Sequence, residues 1–377
     1  MHKRRCSSCC LRADSAPARR ATVSGVPEES RANNIGSLRL LGALAVLFGH
    51  SFVLTEGVRS HDPISDVTRE VAGYGLALPG LGVAMFFAIS GYLVTRSWVR
   101  HASFVAYAEA RILRIYPALI LAVAFTIVLG FVVTSVDSGY LTSKQTVEYG
   151  IHNSTLIDLR YRLPGVFEDN PTNGVNGSLW TLPVELRMYG LVMIAGIFGA
   201  LRHRMVFNVL AVGIVVLFLA WPESPLLAQP VHARAAVFFL AGSALFVNRE
   251  WVPLTGAGAV AFAVAAAIAS FTGAYELVFA FAFSYVILWI GFTDRFRMPN
   301  LAAHGDMSYG TYLYAFPVTQ VWVQVLQPVS PWVVFLLSLA TVLPLAWMSW
   351  HVVEQNALRL KGRLRAPGRK TSGAAAG

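Results

Sequence analysis

The chain has 377 residues, 55% hydrophobic and only 13% charged, with a mean hydropathy of +0.56 and a formal net charge of +10. Soluble chains carry about 25% charged residues, so a water-soluble globular domain is excluded. Continuous apolar runs near 20 residues, without strand-like alternation, point to an all-α, polytopic membrane helix bundle rather than a β-barrel. The positive charge reads as cytoplasmic Lys and Arg rather than as a nucleic-acid footprint.

Residues 1–33 are polar, basic and rich in Ser and Ala, and read as a disordered tail. HKRR followed by CSSCCLRADSAPARR lacks an apolar core, so it is not a secretory signal; a start codon placed too early would also give such a segment. Cys6, Cys9 and Cys10 all sit here. CSSCC has no second ligand pair, so no metal site is expected, and the body of the chain has no thiol to offer. About ten spans follow, over 38–56, 80–98, 117–136, 179–201, 205–221, 233–248, 255–272, 275–292, 308–327 and 331–352. The stretch 142–160 is amphipathic, and Asp158, Arg160 and Arg162 argue against spanning. A second basic, disordered tail closes the chain over 361–377.

The first span carries Arg39 near its start and His50 near its far end. Eleven residues at ~100° each return to within ~20° of three full turns, so both share one face, ~16 Å apart along the axis. Ionisable groups inside a membrane are expensive and mark candidate sites. A fixed cation at the surface and an imidazole deeper in suit a long ligand with an anionic head and a reactive tail. A snorkelling Arg and a structural His fit the same pattern. In the second span, Gly82, Ala84, Ala88, Ser90 and Gly91 permit close helix approach, which also accounts for Ser90. ARILRIYP, before the third span, places Arg111 and Arg114 on one helix face, suited to phosphate recognition or simply to setting topology.

The connection 137–178 is long and dense in Pro, Gly, Asn and acidic residues, and such loops are functional or disordered. Asn176-Gly177-Ser178 reads as a turn and helix cap. In the fourth span, SLWTLPVELRMY, Glu185 lies about as far inside the outer edge as His50 does in the first. A carboxylate beside an imidazole would fix its tautomer and raise its basicity. In the ninth span, Tyr312 is a hydroxyl donor or an interface anchor. Basic residues favour one side: Arg96, Arg100, Arg111, Arg114, Arg202, Arg204, Arg249, Arg295, Arg297 and both tails. Both termini are therefore expected in the cytoplasm. No internal repeat stands out, which weakens a repeat-built transporter.

These motifs together resemble the acyltransferase-3 family, integral-membrane enzymes that modify bacterial surface sugars. Arg39 and His50 resemble its Arg-then-His pattern, and GVAMFFAISGYLV its second span. ARILRIYPAL, NGSLWTLPVELRMY, SYGTYLYAFPV and VVEQNALRL resemble four further segments, so the resemblance covers 34–360. Two departures stand out. Ala315 occupies the place where many members have a His before Phe-Pro, and no Pro lies near Asn356. Some members carry an appended esterase-like domain; this sequence ends soon after its last span, so it is expected to act alone or with a separate partner.

The resemblance implies an O-acyltransferase in the bacterial inner membrane. It would move an acyl group, acetyl foremost, from cytoplasmic acyl-CoA to a hydroxyl of a cell-surface or exported glycan, without a metal. His50 is then the base or the transient acyl carrier, with Glu185 orienting it. Arg39, Arg111 and Arg114 would hold the phosphates of acetyl-CoA, and Ser90 and Tyr312 would contact substrate. A transporter or flippase for lipid-linked sugars, with His50 and Glu185 as a proton relay, is the alternative.

Overall fold

The computed structural model describes residues 33–362 apart from 61, 73–76, 102, 137, 222–228, 272–274, 302 and 304. The two expected tails and the three cysteines lie almost wholly outside the described residues. Among the described residues there is no strand. In chain order the helices are α1 (Ile35–Glu56), α2 (Pro63–Ala72), α3 (Leu78–His101), α4 (Phe104–Val133), α5 (Lys144–Thr155) and α6 (Thr181–Ile197). Then come α7 (Arg204–Ala220), α8 (Pro230–Val247), α9 (Gly256–Ala269), α10 (Tyr275–Phe292), α11 (Ser308–Leu326), α12 (Pro331–Ser349) and α13 (Gln355–Arg359). A helix occupies each of the ten expected spans. The amphipathic stretch is α5, capped by Ser143 Oγ accepting from Thr146 N at 3.1 Å.

By length and composition six stretches can cross a bilayer: α1, α3, α4, α8, α10 and Pro331–Arg359, which contains α12. α4 runs 30 residues, or ~45 Å at ~1.5 Å per residue against a hydrocarbon core of ~30 Å. The basic segment expected as a connection before the third span is therefore its first three turns. α11 is long enough but too polar to face lipid. Thr311, Thr319 and Gln320 are fully buried, so it runs inside the protein, where Gln320 bonds the α4–α6 connection and Thr319 its own Ala315 carbonyl.

Glycines set the closest packing. A Cβ on Gly82 would lie 2.4 Å from the Gly42 carbonyl of α1, and one on Gly49 would strike Pro79 at 2.2 Å. On the other face of α3, a Cβ on Gly91 would meet the Phe239 carbonyl at 2.0 Å, and one on Gly242 the Ala88 carbonyl at 2.1 Å. Backbone-to-backbone approach of this kind substitutes for the hydrophobic drive that lipid removes. Gly242→Ala must push α8 off α3. We expect a loss of about 1–3 kcal/mol, the usual cost of overpacking, read as a lower thermal midpoint in detergent; an unchanged midpoint would mean the pair is not tight.

The connection between α4 and α6 does not stay at the surface. Leu163, Val166, Phe167, Val175, Asn176, Ser178 and Leu179 are buried. Asn176 caps the short turn Gly177–Trp180 and sends its Nδ2 to the Leu313 carbonyl of α11 at 3.0 Å. Gln320 donates to the Thr172 and Gly174 carbonyls at 2.7 and 2.6 Å, and Asn170 donates back to Gln320 Oε1 at 2.8 Å. Irregular backbone can sit among membrane helices only when protein groups satisfy it in this way. α6 consequently begins where this buried segment ends. At the other end, Asn34 ties α1 to α10 and to the connection after it: its Nδ2 donates to the Ile290 carbonyl at 2.8 Å and its Oδ1 accepts from Met298 N at 2.9 Å.

Candidate functional site

A cavity of about 120 Å³ opens between α1, α3, α4, α6 and α11. Its lining includes Arg39, Ser90, Arg111, Arg114, Glu185 and Tyr312. Six of the seven site residues expected from the sequence are thus brought to one place. Val83, Phe86, Leu93 and Val94 form its α3 wall. From Val83 to Val94 is eleven residues, so the cavity runs ~16 Å along that helix.

One end of the cavity is a charged knot. Arg39 Nη1 and Arg114 Nη2 both donate to Asp306 Oδ2 at 2.7 Å. Glu354 lies 3.8 Å from Arg114 Nη1. Two cations thus face two carboxylates. Asp306 stands in the connection just before α11, where Ser308 N and Oγ also donate to its Oδ1. Burial alone would raise this carboxyl; Arg114, Arg39 and Ser308 outweigh burial and hold it well below the usual carboxylate range. Glu354 sits in a π-helical turn, Trp350–Glu354, and accepts from Ser349 Oγ at 3.2 Å. Such turns are frequent at functional sites.

Arg111 differs from the other two arginines. Among the described residues it has no ion pair. Its guanidinium lies 5.4 Å from the Tyr189 ring centroid and 5.9 Å from that of Tyr107, and its Nε is buried without a partner. It is the cavity cation whose charge no carboxylate answers.

Deeper in, Glu185 Oε1 accepts from Ser90 Oγ at 3.1 Å and from the Tyr189 hydroxyl. Ser90 is therefore a hydrogen-bonding group on the cavity wall. Tyr312 donates to the Ser178 carbonyl at 2.8 Å and shares a 2.8 Å bond with Thr181 Oγ1. It fixes the α11 wall of the cavity to the buried connection before α6.

His50 does not line this cavity. Its ring packs edge-on against Phe316, centroids 5.1 Å apart, and its Nδ1 is buried without a hydrogen-bond partner. It sits next to Gly49, hence at the level of Pro79, while Ser90 lies eleven residues, ~16 Å, farther along α3. The expected pairing of Glu185 with His50 is not formed. Counting from the apolar edge placed both at one depth, but α6 begins after a buried, irregular segment, and Glu185 lines the cavity with the arginines while His50 does not.

Sequence reasoning missed Asp306, Tyr189, Glu354 and Phe316. Asp306 had one usable signal, an acid two residues before the Ser308 start of a span. Glu354 had another, an acid interrupting the apolar run ahead of Gln355. Among the described residues, no cluster of three His, Cys, Asp or Glu is arranged to hold a metal ion.

The sequence matches the acyltransferase-3 family, described as an acyltransferase domain, over residues 33–351. It is 28% identical over 349 residues to an O-acetyl transferase of Shigella phage Sf6, covering 87% of this chain and 96% of that protein. It is also 28% identical over 364 residues to Nodulation protein 10 of Rhizobium leguminosarum bv. viciae, covering 89% and 95%. No solved structure matches. With a bundle of membrane-crossing helices and a match spanning nearly all of it, the chain belongs to the acyltransferase-3 family and is a multi-pass membrane acyltransferase.

Proposed function

We propose that this enzyme moves an acetyl group from cytoplasmic acetyl-CoA to a hydroxyl of a cell-surface or exported glycan, with both termini in the cytoplasm of a cell whose inner membrane it spans. The observation that carries the reading is the cavity itself. It begins at three arginines on the side where basic connections gather and runs outward toward His50. A donor with anionic phosphates and a long uncharged arm has that shape. Arg111 would make the leading phosphate contact, because its charge is uncommitted, with Arg39 and Arg114 held beside it by Asp306. The arm would follow the α3 wall and bring the thioester to His50. There the imidazole would take the proton of the acceptor hydroxyl, or carry the acyl group transiently. Ser90, Glu185 and Tyr312 would line the arm's path. The similarity to a protein named an O-acetyl transferase supports acetyl as the group moved. A proton relay for transport would need His50 and Glu185 in contact, and they are not.

Purified protein should bind acetyl-CoA in detergent and slowly hydrolyse it when no acceptor is present; a flippase would do neither. A charge-assisted phosphate contact contributes roughly 1.5–3 kcal/mol. Arg111→Ala should therefore weaken acetyl-CoA binding by about tenfold or more, 1.4 kcal/mol being a factor of ten. Unchanged affinity in a folded variant would mean that Arg111 serves topology alone.

A further inference from the structure

The lining of the cavity does not include His50, and the Phe316 ring packs against His50 beyond its Tyr312 end. Tyr312 lines the outer end of the cavity, and Phe316 lies one helical turn beyond it on α11, ~6 Å outward. The Phe316 ring meets the His50 ring at 5.1 Å with planes 75° apart. Behind it is bare backbone. A Cβ on Gly177 would come within 2.6 Å of Phe316 Cε2, and one on Gly174 within 4.0 Å of its Cζ. The absent side chain at Gly177 is what makes room for the ring. Phe316 is buried, with Leu54, Val323 and Val334 in the same apolar cluster, so it has little space to turn aside.

We propose that Phe316 sets the length of the acyl group this enzyme transfers. The inference rests on the reading that the thioester arrives at His50 from the inner end. With the carbonyl carbon beside the imidazole, the acyl chain points into the space that the Phe316 ring already fills. A two-carbon acyl group needs little of that space. Each added methylene presses on the ring, which the Gly177 backbone holds from behind. Discrimination is steric, since the ring offers no polar group.

The test uses full-length protein in detergent with acetyl-, butyryl- and hexanoyl-CoA, following release of the free CoA thiol without an acceptor. Wild type should favour acetyl-CoA. A missing or extra methylene in an apolar pocket changes kcat/KM by about 10–200-fold. Phe316→Leu should therefore raise the butyryl-to-acetyl ratio of kcat/KM by about tenfold or more. Phe316→Trp should lower it, and so should Gly177→Ala, which drives the ring toward His50. Phe316→Met is the milder replacement should the Leu variant not fold. An unchanged ratio in whichever variant folds overturns the proposal. His50→Ala separates the two levels. Full thiol release without His50 removes the underlying reading, whereas an unchanged ratio together with a dead His50→Ala removes only the role of Phe316.

Discussion

Replacing His50 with alanine is expected to abolish measurable acyl transfer while leaving the protein folded in the membrane. General-base help is typically worth ~10²–10⁴ in rate. Loss of the imidazole removes all of it, because among the described residues no other titratable group lies against the His50 ring. Acetyl-CoA affinity should survive, since Arg111 and its neighbours lie ~16 Å inward. The measurement is acetyl transfer and acetyl-CoA binding on the same preparation. Near-normal turnover would end the assignment of His50. Glu185→Gln supplies the contrast. Its carboxylate touches Ser90 and Tyr189 rather than the imidazole, so the pH profile of the residual rate should keep its wild-type midpoint.

Asp306→Asn is expected to have the largest effect on stability. One carboxylate oxygen takes both Arg39 and Arg114, with all three side chains about a quarter exposed or less. Removing one partner of a buried ion pair typically costs about 3–5 kcal/mol, because the remaining charge is stranded; partial exposure places this site toward the lower figure. The folded-state carboxyl is held below its ordinary value. Its stabilisation is therefore fully present above the unfolded carboxylate pKa of ~3.9, declines as pH falls below it and is gone once pH has fallen through the lower folded value. Thermal midpoints of wild type and Asp306→Asn should accordingly differ throughout the neutral range and converge in strong acid. Equal midpoints at pH 7 would show that water screens the knot.

The bundle was legible because span length and hydropathy are local properties. Arg39, Arg111 and Arg114 were legible as a group because charge inside or beside a span is costly and therefore conspicuous. The depth of Glu185 was not. Reading depth from an apolar edge assumes that the preceding loop ends at the surface. The segment before α6 is rich in Pro, Gly and Asn and looks exposed, yet Asn176 finds its carbonyl 137 residues away, at Leu313. Asp306 escaped for the same reason. Its arginines are 192 and 267 residues distant, and no local pattern announces such a meeting.

The separation of the arginine end from His50 also bears on bioenergetics. On the proposed path the charged part of the donor never leaves the inner face, and only its neutral arm enters the membrane field. The proton that His50 takes from the acceptor can pass to the departing thiolate at the same depth. Moving one elementary charge through the potential is worth ~2.3 kcal/mol per 100 mV, and here no net charge makes that journey. An acyl group made in the cytoplasm would thus reach an acceptor on the far side without drawing on the proton gradient.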